Sequence, residues 1–205
     1  MVLWELPALL YFCKYFLYMK KALTVFAALI MLGYTASSQT SLPEIDKSPL
    51  DICYYPTEYP QLKTQAKSID PAVARVIYSR PKKEGRPVFG NLVEYGKLWR
   101  LGANEATEIE FFKPVMIGQK KVAKGRYTLY AIVNEKSWTF ILNKDIDIWG
   151  SFKYKQANDV LRLDVPVQTM KDQVESLAMT FERSASGVNL VVAWENVKTE
   201  LPITL

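Results

Sequence analysis

Histidine is absent from all 205 residues. That removes Ser-His-Asp and Cys-His catalysis and the common histidine zinc sites. Any chemistry must use carboxylates, lysine, tyrosine or an oxygen-bound metal. Cysteine is nearly absent too, with Cys13 and Cys53 alone. Cleavage of the N-terminal segment described below would leave Cys53 by itself, unable to form an internal disulfide and expected as a small, partly buried side chain. No dense basic patch is present. Net charge is +5, and removing residues 1–38 takes away three lysines and one glutamate, leaving about +3. Lys82-Lys83 and Lys120-Lys121 read as solvated turns, so nucleic acid is not an expected partner.

No apolar run is long enough for a comfortable membrane span. Met19-Lys20-Lys21 precedes ALTVFAALIMLGY and then TASSQT, with Ala36 and Ser38 as small residues before Gln39. A basic start, a short apolar stretch and a small-residue cut site describe a secretory signal peptide, cleaved after Ser38. The expected location is periplasmic or secreted, with no membrane span in the mature protein. Because such a peptide begins at its basic region, translation is expected to start at Met19. A longer anchor over residues 3–34 would have to bury Lys14, Lys20 and Lys21, which is costly.

Residues 39–70 read as an irregular arm rich in proline and tyrosine, because Pro43, Pro49, Pro56 and Pro60 interrupt regular elements. From residue 71 to 205 the pattern changes. AVARVIYS is β-branched, and ATEIEFF alternates, with Thr107, Ile109 and Phe111 on one side and Glu108 and Glu110 on the other. WTFILN places Trp138, Phe140 and Leu142 on one face. Further short runs at 115–117, 126–133, 160–165, 177–182, 188–195 and 197–203 bring the total to nine strands. PVQTMKDQVESLA, 166–178, is the one candidate for a helical turn, with Thr169 as N-cap. Short strands separated by frequent turns predict an all-β, antiparallel β-sandwich, jelly-roll-like, behind the signal segment and arm.

Two stretches depart from that pattern. One connection, residues 79–107, carries Arg80, Arg86, Trp99, Arg100, Asn104 and Glu105. The other, residues 143–159, carries Asp145, Asp147, Trp149, Tyr154 and Asp159. Long ordered loops are frequent sites of function. Arginine offers a fork of donors to carboxylate or phosphate, and tryptophan a flat apolar face. Brought together, Arg80, Arg86, Trp99, Arg100, Asn104, Glu105, Asp147, Trp149 and Tyr154 would form a ligand site at one end of the sandwich. Scaffold accounts compete: Arg100 pairs with Glu105, Asn104 bonds within its own turn, and Gly102 supplies a positive φ. Asp145 and Asp147 lack the further ligands of a calcium loop, so neither metal nor cofactor is expected. Paired carboxylates such as Glu105 with Asp145 or Asp147 would serve as the acid/base pair of glycoside cleavage if the fold brought them together.

The blocks G-R-x-x-F-G-x-L-V and W-R-x-G-A-N-E-A-T carry a resemblance. With GRYTLYAIVNEKSWTFILNKDIDIWGSFKY, DVLRLDVPV and VAWENVKTELPI, the chain from about Lys67 to Leu205 resembles the exported bacterial domain-of-unknown-function family 2911, of Bacteroidetes type. The matching positions are Gly85, Arg86, Phe89, Gly90, Trp99, Arg100, Gly102, Ala103, Asn104, Glu105 and Thr107. The resemblance implies an exported β-rich domain and brings no catalytic residue. The expected function is a non-enzymatic binding module for a carbohydrate or small anionic ligand in the cell envelope. The alternatives are an envelope assembly protein docking on a partner, and a carboxylate-based glycoside hydrolase.

Overall fold

In the computed structural model of the chain, residues 14–20, 41–65 and 70–205 are described. They fall in two compact units, 1–44 and 45–205. In the first, residues 14–20 are helical with exposed side chains. The expected signal sequence beyond that helix, its cut after Ser38, and Cys13 lie outside the described residues. No helix among the described residues is long and apolar enough to cross a membrane.

The second unit is built on ten antiparallel strands. One half of the sheet runs β1 (Leu50–Tyr55), β2 (Ala74–Ser79), β4 (Glu108–Phe111), β7 (Gly125–Val133), β8 (Ser137–Asn143). The short β3 (Leu98–Trp99) adds to β7 through Leu98 opposite Ile132 and Trp99 opposite Ala131. The other half comprises β10 (Gly187–Thr204), β5 (Val115–Ile117) and β6 (Lys120–Val122). A single 26-residue strand, β9 (Asp159–Ser184), joins the halves. Its first part pairs with β8 as far as Pro166, and from Val167 onward it pairs with β10. Proline has no N–H for a ladder bond, so the point where the strand changes partner suits it.

The two halves close on one apolar core. Val76, Ile109, Leu129 and Phe140 from the first meet Leu177, Leu190, Leu201 and Ile203 from the second. Alternation gives the inward face its side chains, as in β4, where Ile109 and Phe111 are fully buried. Glu110 on its outer face pairs with Arg75 at 2.7 Å. The expected antiparallel β-sandwich is thus present.

Two expectations need correction. Residues 166–178 are strand, not a helical turn, because their pairing partner β10 is remote in sequence and outweighs the local pattern. The arm is also partly regular. β1 pairs with β2 over six residues, and Tyr59–Gln65 forms a short helix, α1. The prolines that suggested irregularity fall at the borders: Pro49 precedes β1, Pro56 follows it, and Pro60 occupies the first turn of α1, where a missing N–H costs little.

Candidate functional site

The ladder between β9 and β10 is broken near its middle. Ala193 faces Ala178, Glu195 faces Val174, and Val197 faces Thr169, so β9 carries the extra residues. Glu195, at φ 55°, marks the bulge. The excess length bends β9 toward the 80s connection. Lys83 N donates to Glu175 O at 2.9 Å, Leu177 N to Pro81 O at 3.0 Å, and Trp194 Nε1 to Glu175 O at 3.1 Å. Glu195 reaches back, accepting from Val88 N and lying 3.8 Å from Lys83 Nζ. Here a bulge re-aims side chains rather than disturbing the sheet.

Above that bulge lies a cavity of about 420 Å3, within the range of small-molecule sites. Its lining includes Lys47, Lys82, Arg86 and Arg100, with Glu84 as the one acid. Trp99, Trp194, Leu92 and Val93 supply an apolar part. Trp99 and Trp194 are stacked, with ring centroids 6.1 Å apart, and Trp138 and Phe89 pack edgewise on Trp99. The wall is therefore rigid.

The 99–107 segment is fastened along its backbone. Five consecutive carbonyls each accept a hydrogen bond: Arg100 from Thr107 N, Leu101 from Thr107 Oγ1, Gly102 from Trp99 Nε1, Ala103 from Ser79 Oγ, and Asn104 from Gly150 N. Leu101 and Asn104 hold positive φ, 58° and 56°. Gly102 does not; it sits close to β2, and a Cβ there would lie 3.2 Å from the Ser79 carbonyl oxygen, a tight approach. The expectation that Gly102 supplies the turn's positive φ is corrected.

This clamp presents one side chain with a buried polar atom and no partner for it. Arg100 makes no ion pair and no side-chain hydrogen bond among the described residues, and its Nε is buried and unsatisfied. Burial pushes its guanidinium below its ordinary value, though arginine stays charged at neutral pH. It does not pair with Glu105, which is exposed to solvent. Lys47 and Lys82 are likewise exposed and without an ion pair among the described residues. Arg86 is more engaged, donating to the Lys83 and Lys82 carbonyls at 2.9 and 2.8 Å, 3.6 Å from Glu84.

Of the nine expected site residues, then, Arg86, Trp99 and Arg100 line the cavity. Trp99 does so from the core, 7% exposed, with its N–H already used. The other six do not line it. Arg80 ties β2 to β1 and β9, bonding Asp51 at 2.9 Å and the Leu177 carbonyl at 3.1 Å. Asp147 binds Arg126 at 2.6 Å. Tyr154 donates to Asp159 at 2.6 Å and packs edge-on against Tyr130. Trp149, 60% exposed, bridges Glu105 through the backbone, beside Asn104.

The reason is sheet geometry. Leu129, Ala131 and Val133 of β7 face the core, while Tyr130 and Ile132 face outward. The 143–159 loop packs Ile148 and Tyr154 on that outward face, and Trp99 belongs to the inward one. Asp145, the other acid considered there, is bonded by the Asn158 amide at 2.8 Å. No cluster suited to a metal ion occurs among the described residues.

Lys47, Ser48 and Lys82 were missed. The doublet Lys82-Lys83 looks like a solvated turn, and nothing in the arm marks Lys47. Lys82 alone has an indirect signal: it is four residues from Arg86 in the same connection.

The sequence model of one family, described as Protein of unknown function (DUF2911), matches residues 60–203. The chain belongs to the DUF2911 family. The match includes the whole clamp, Arg86 and Arg100, and begins downstream of Lys47 and Ser48. No curated protein and no solved structure matches the chain.

Proposed function

We propose that this DUF2911 domain is a binding module for a small anionic ligand, held at Arg100 in the cavity beside Trp99 and Trp194. The observation that carries the reading is Arg100 itself. A buried donor without a partner costs on the order of 1–3 kcal/mol. A clamp of five bonded carbonyls nonetheless holds that guanidinium at a cavity whose charged lining residues are four cations and one acid. A carboxylate, phosphate or sulfate matches its donor fork.

Glycoside cleavage has less support. Glu105, Asp145 and Asp147 are all outside the cavity lining, and both aspartates are engaged. Export, proposed from the basic, apolar and small-residue pattern of residues 19–38, puts the module in the periplasm or outside the cell.

The test is scanning calorimetry of the domain with increasing concentrations of simple carboxylates, inorganic phosphate or sulfate, alongside Arg100→Met. Specific binding raises the wild-type melting temperature by mass action, and Arg100→Met abolishes that response. Equal responses from the two proteins would remove the reading.

A further inference from the structure

The cavity's charge exceeds what one acidic group would neutralise. Arg100 alone can seat a monoanion. Arg86 already has Glu84 beside it and two carbonyls on its guanidinium. Lys47 and Lys82 remain on the rim, without an ion pair among the described residues. The same lining has an apolar part, Leu92 with the tryptophan pair, against which a short carbon chain can lie.

Lys47 is not a loose neighbour. Two residues on, the Pro49 carbonyl accepts from Arg80 N at 3.0 Å, and β1 then pairs with β2 along its length. Ser48 N bonds Asp46 Oδ1 at 2.6 Å, shaping the turn that carries Lys47. The segment enters the lining from outside the residues matched by the family.

We infer that the ligand is a small organic dianion with a carbon spacer: one acidic group seats on Arg100, and the second is held at the rim by Lys47 with Lys82. The inference rests on the anion-binding reading above. It makes the segment before β1 the selectivity element, with the family-matched clamp supplying the common anchor.

The experiment titrates the domain with glutarate, adipate, pentanoate, hexanoate and inorganic phosphate at fixed ionic strength. A diacid is expected to bind roughly ten-fold more tightly than the monoacid of equal carbon number, the gain of a second charge-assisted contact. Lys47→Ala, at an exposed position, should cut diacid affinity roughly five-fold or more and leave the monoacid within about two-fold. Arg100→Met should lose both. Phosphate outcompeting every diacid would overturn the spacer, and equal affinities for diacid and monoacid would overturn the second seat. An unchanged ratio in Lys47→Ala would remove the role of the segment. In each of these cases binding lost in Arg100→Met leaves the anion pocket standing, whereas no binding by wild type removes both readings.

Discussion

Arg100 and Glu105 are five residues apart in one loop and have opposite relations to stability. Arg100 has a buried, unsatisfied Nε, and burial works against its charge. Replacing such a group by an apolar side chain of similar length removes the desolvation cost and keeps the packing. Arg100→Met is therefore expected to unfold at the same or higher urea concentration than wild type, by up to about 2 kcal/mol, while losing the anion response. Glu105 is exposed, and its side chain has no hydrogen bond or ion pair among the described residues. Glu105→Gln should then change the unfolding free energy by less than about 0.5 kcal/mol. Urea titrations of the two variants side by side check both. A loss of about 2 kcal/mol in Glu105→Gln would mean that its carboxylate completes a buried network after all.

At the scale of the element, the 99–107 clamp depends on donors as well as on its own turns. Thr107 is fully buried, and its Oγ1 bonds the Leu101 carbonyl at 2.7 Å. Thr107→Val keeps the shape and removes the donor, leaving that carbonyl unpaired. The expected cost is about 1–3 kcal/mol by urea unfolding, with weaker anion binding as Arg100 loses its mounting. An unchanged stability would show that the clamp does not depend on that bond. The same segment shows what is legible before folding. ATEIEFF declares a strand because side chains alternate with a period of two and one face is buried. The clamp declares only that it is unusual, since its donors Ser79 and Gly150 come from far along the chain. β9 is harder still. Its polar stretch 168–175 has no alternation of its own and becomes strand because β10 and the 80s connection bond to it. The site was half legible for a related reason. Arg86 and Arg100 stand out by side-chain type, but Trp149 and Tyr154 were separated from them by the alternation along β7, and Lys47 joined them through the pairing of β1.

For the whole molecule, the missing histidine becomes a prediction about pH. No side chain has an ordinary titration near pH 6.5, so nothing there couples protonation to folding. On the alkaline side several groups do: burial raises the phenols of Tyr95, Tyr127 and Tyr154, and three other groups are raised furthest. Burial, helped by the Asp51 carboxylate, pushes the Cys53 thiol up to about 12 from an ordinary 9.0. Burial raises the Tyr78 phenol to about 12 from 10.0, although its bond with the Met179 backbone opposes part of that. Burial, with Asp145 adding, takes Tyr130 to about 12 from 10.0. All three are neutral when protonated, and the folded chain holds the proton more tightly than the unfolded one. Stability is therefore complete below the unfolded values and is lost as pH rises toward the folded ones. The urea midpoint should be flat from about pH 6 to 8, begin to fall near pH 9 as the unfolded thiol ionises, and fall faster from about pH 10 when the phenols join. Cys53→Ala removes the first contribution, so its decline should start about one pH unit later than that of wild type. Both curves can be measured by urea titration at stepped pH with tryptophan fluorescence. A step near pH 6.5, or coincident alkaline declines in the two proteins, would contradict the assignment of these groups as the ones that couple folding to protons.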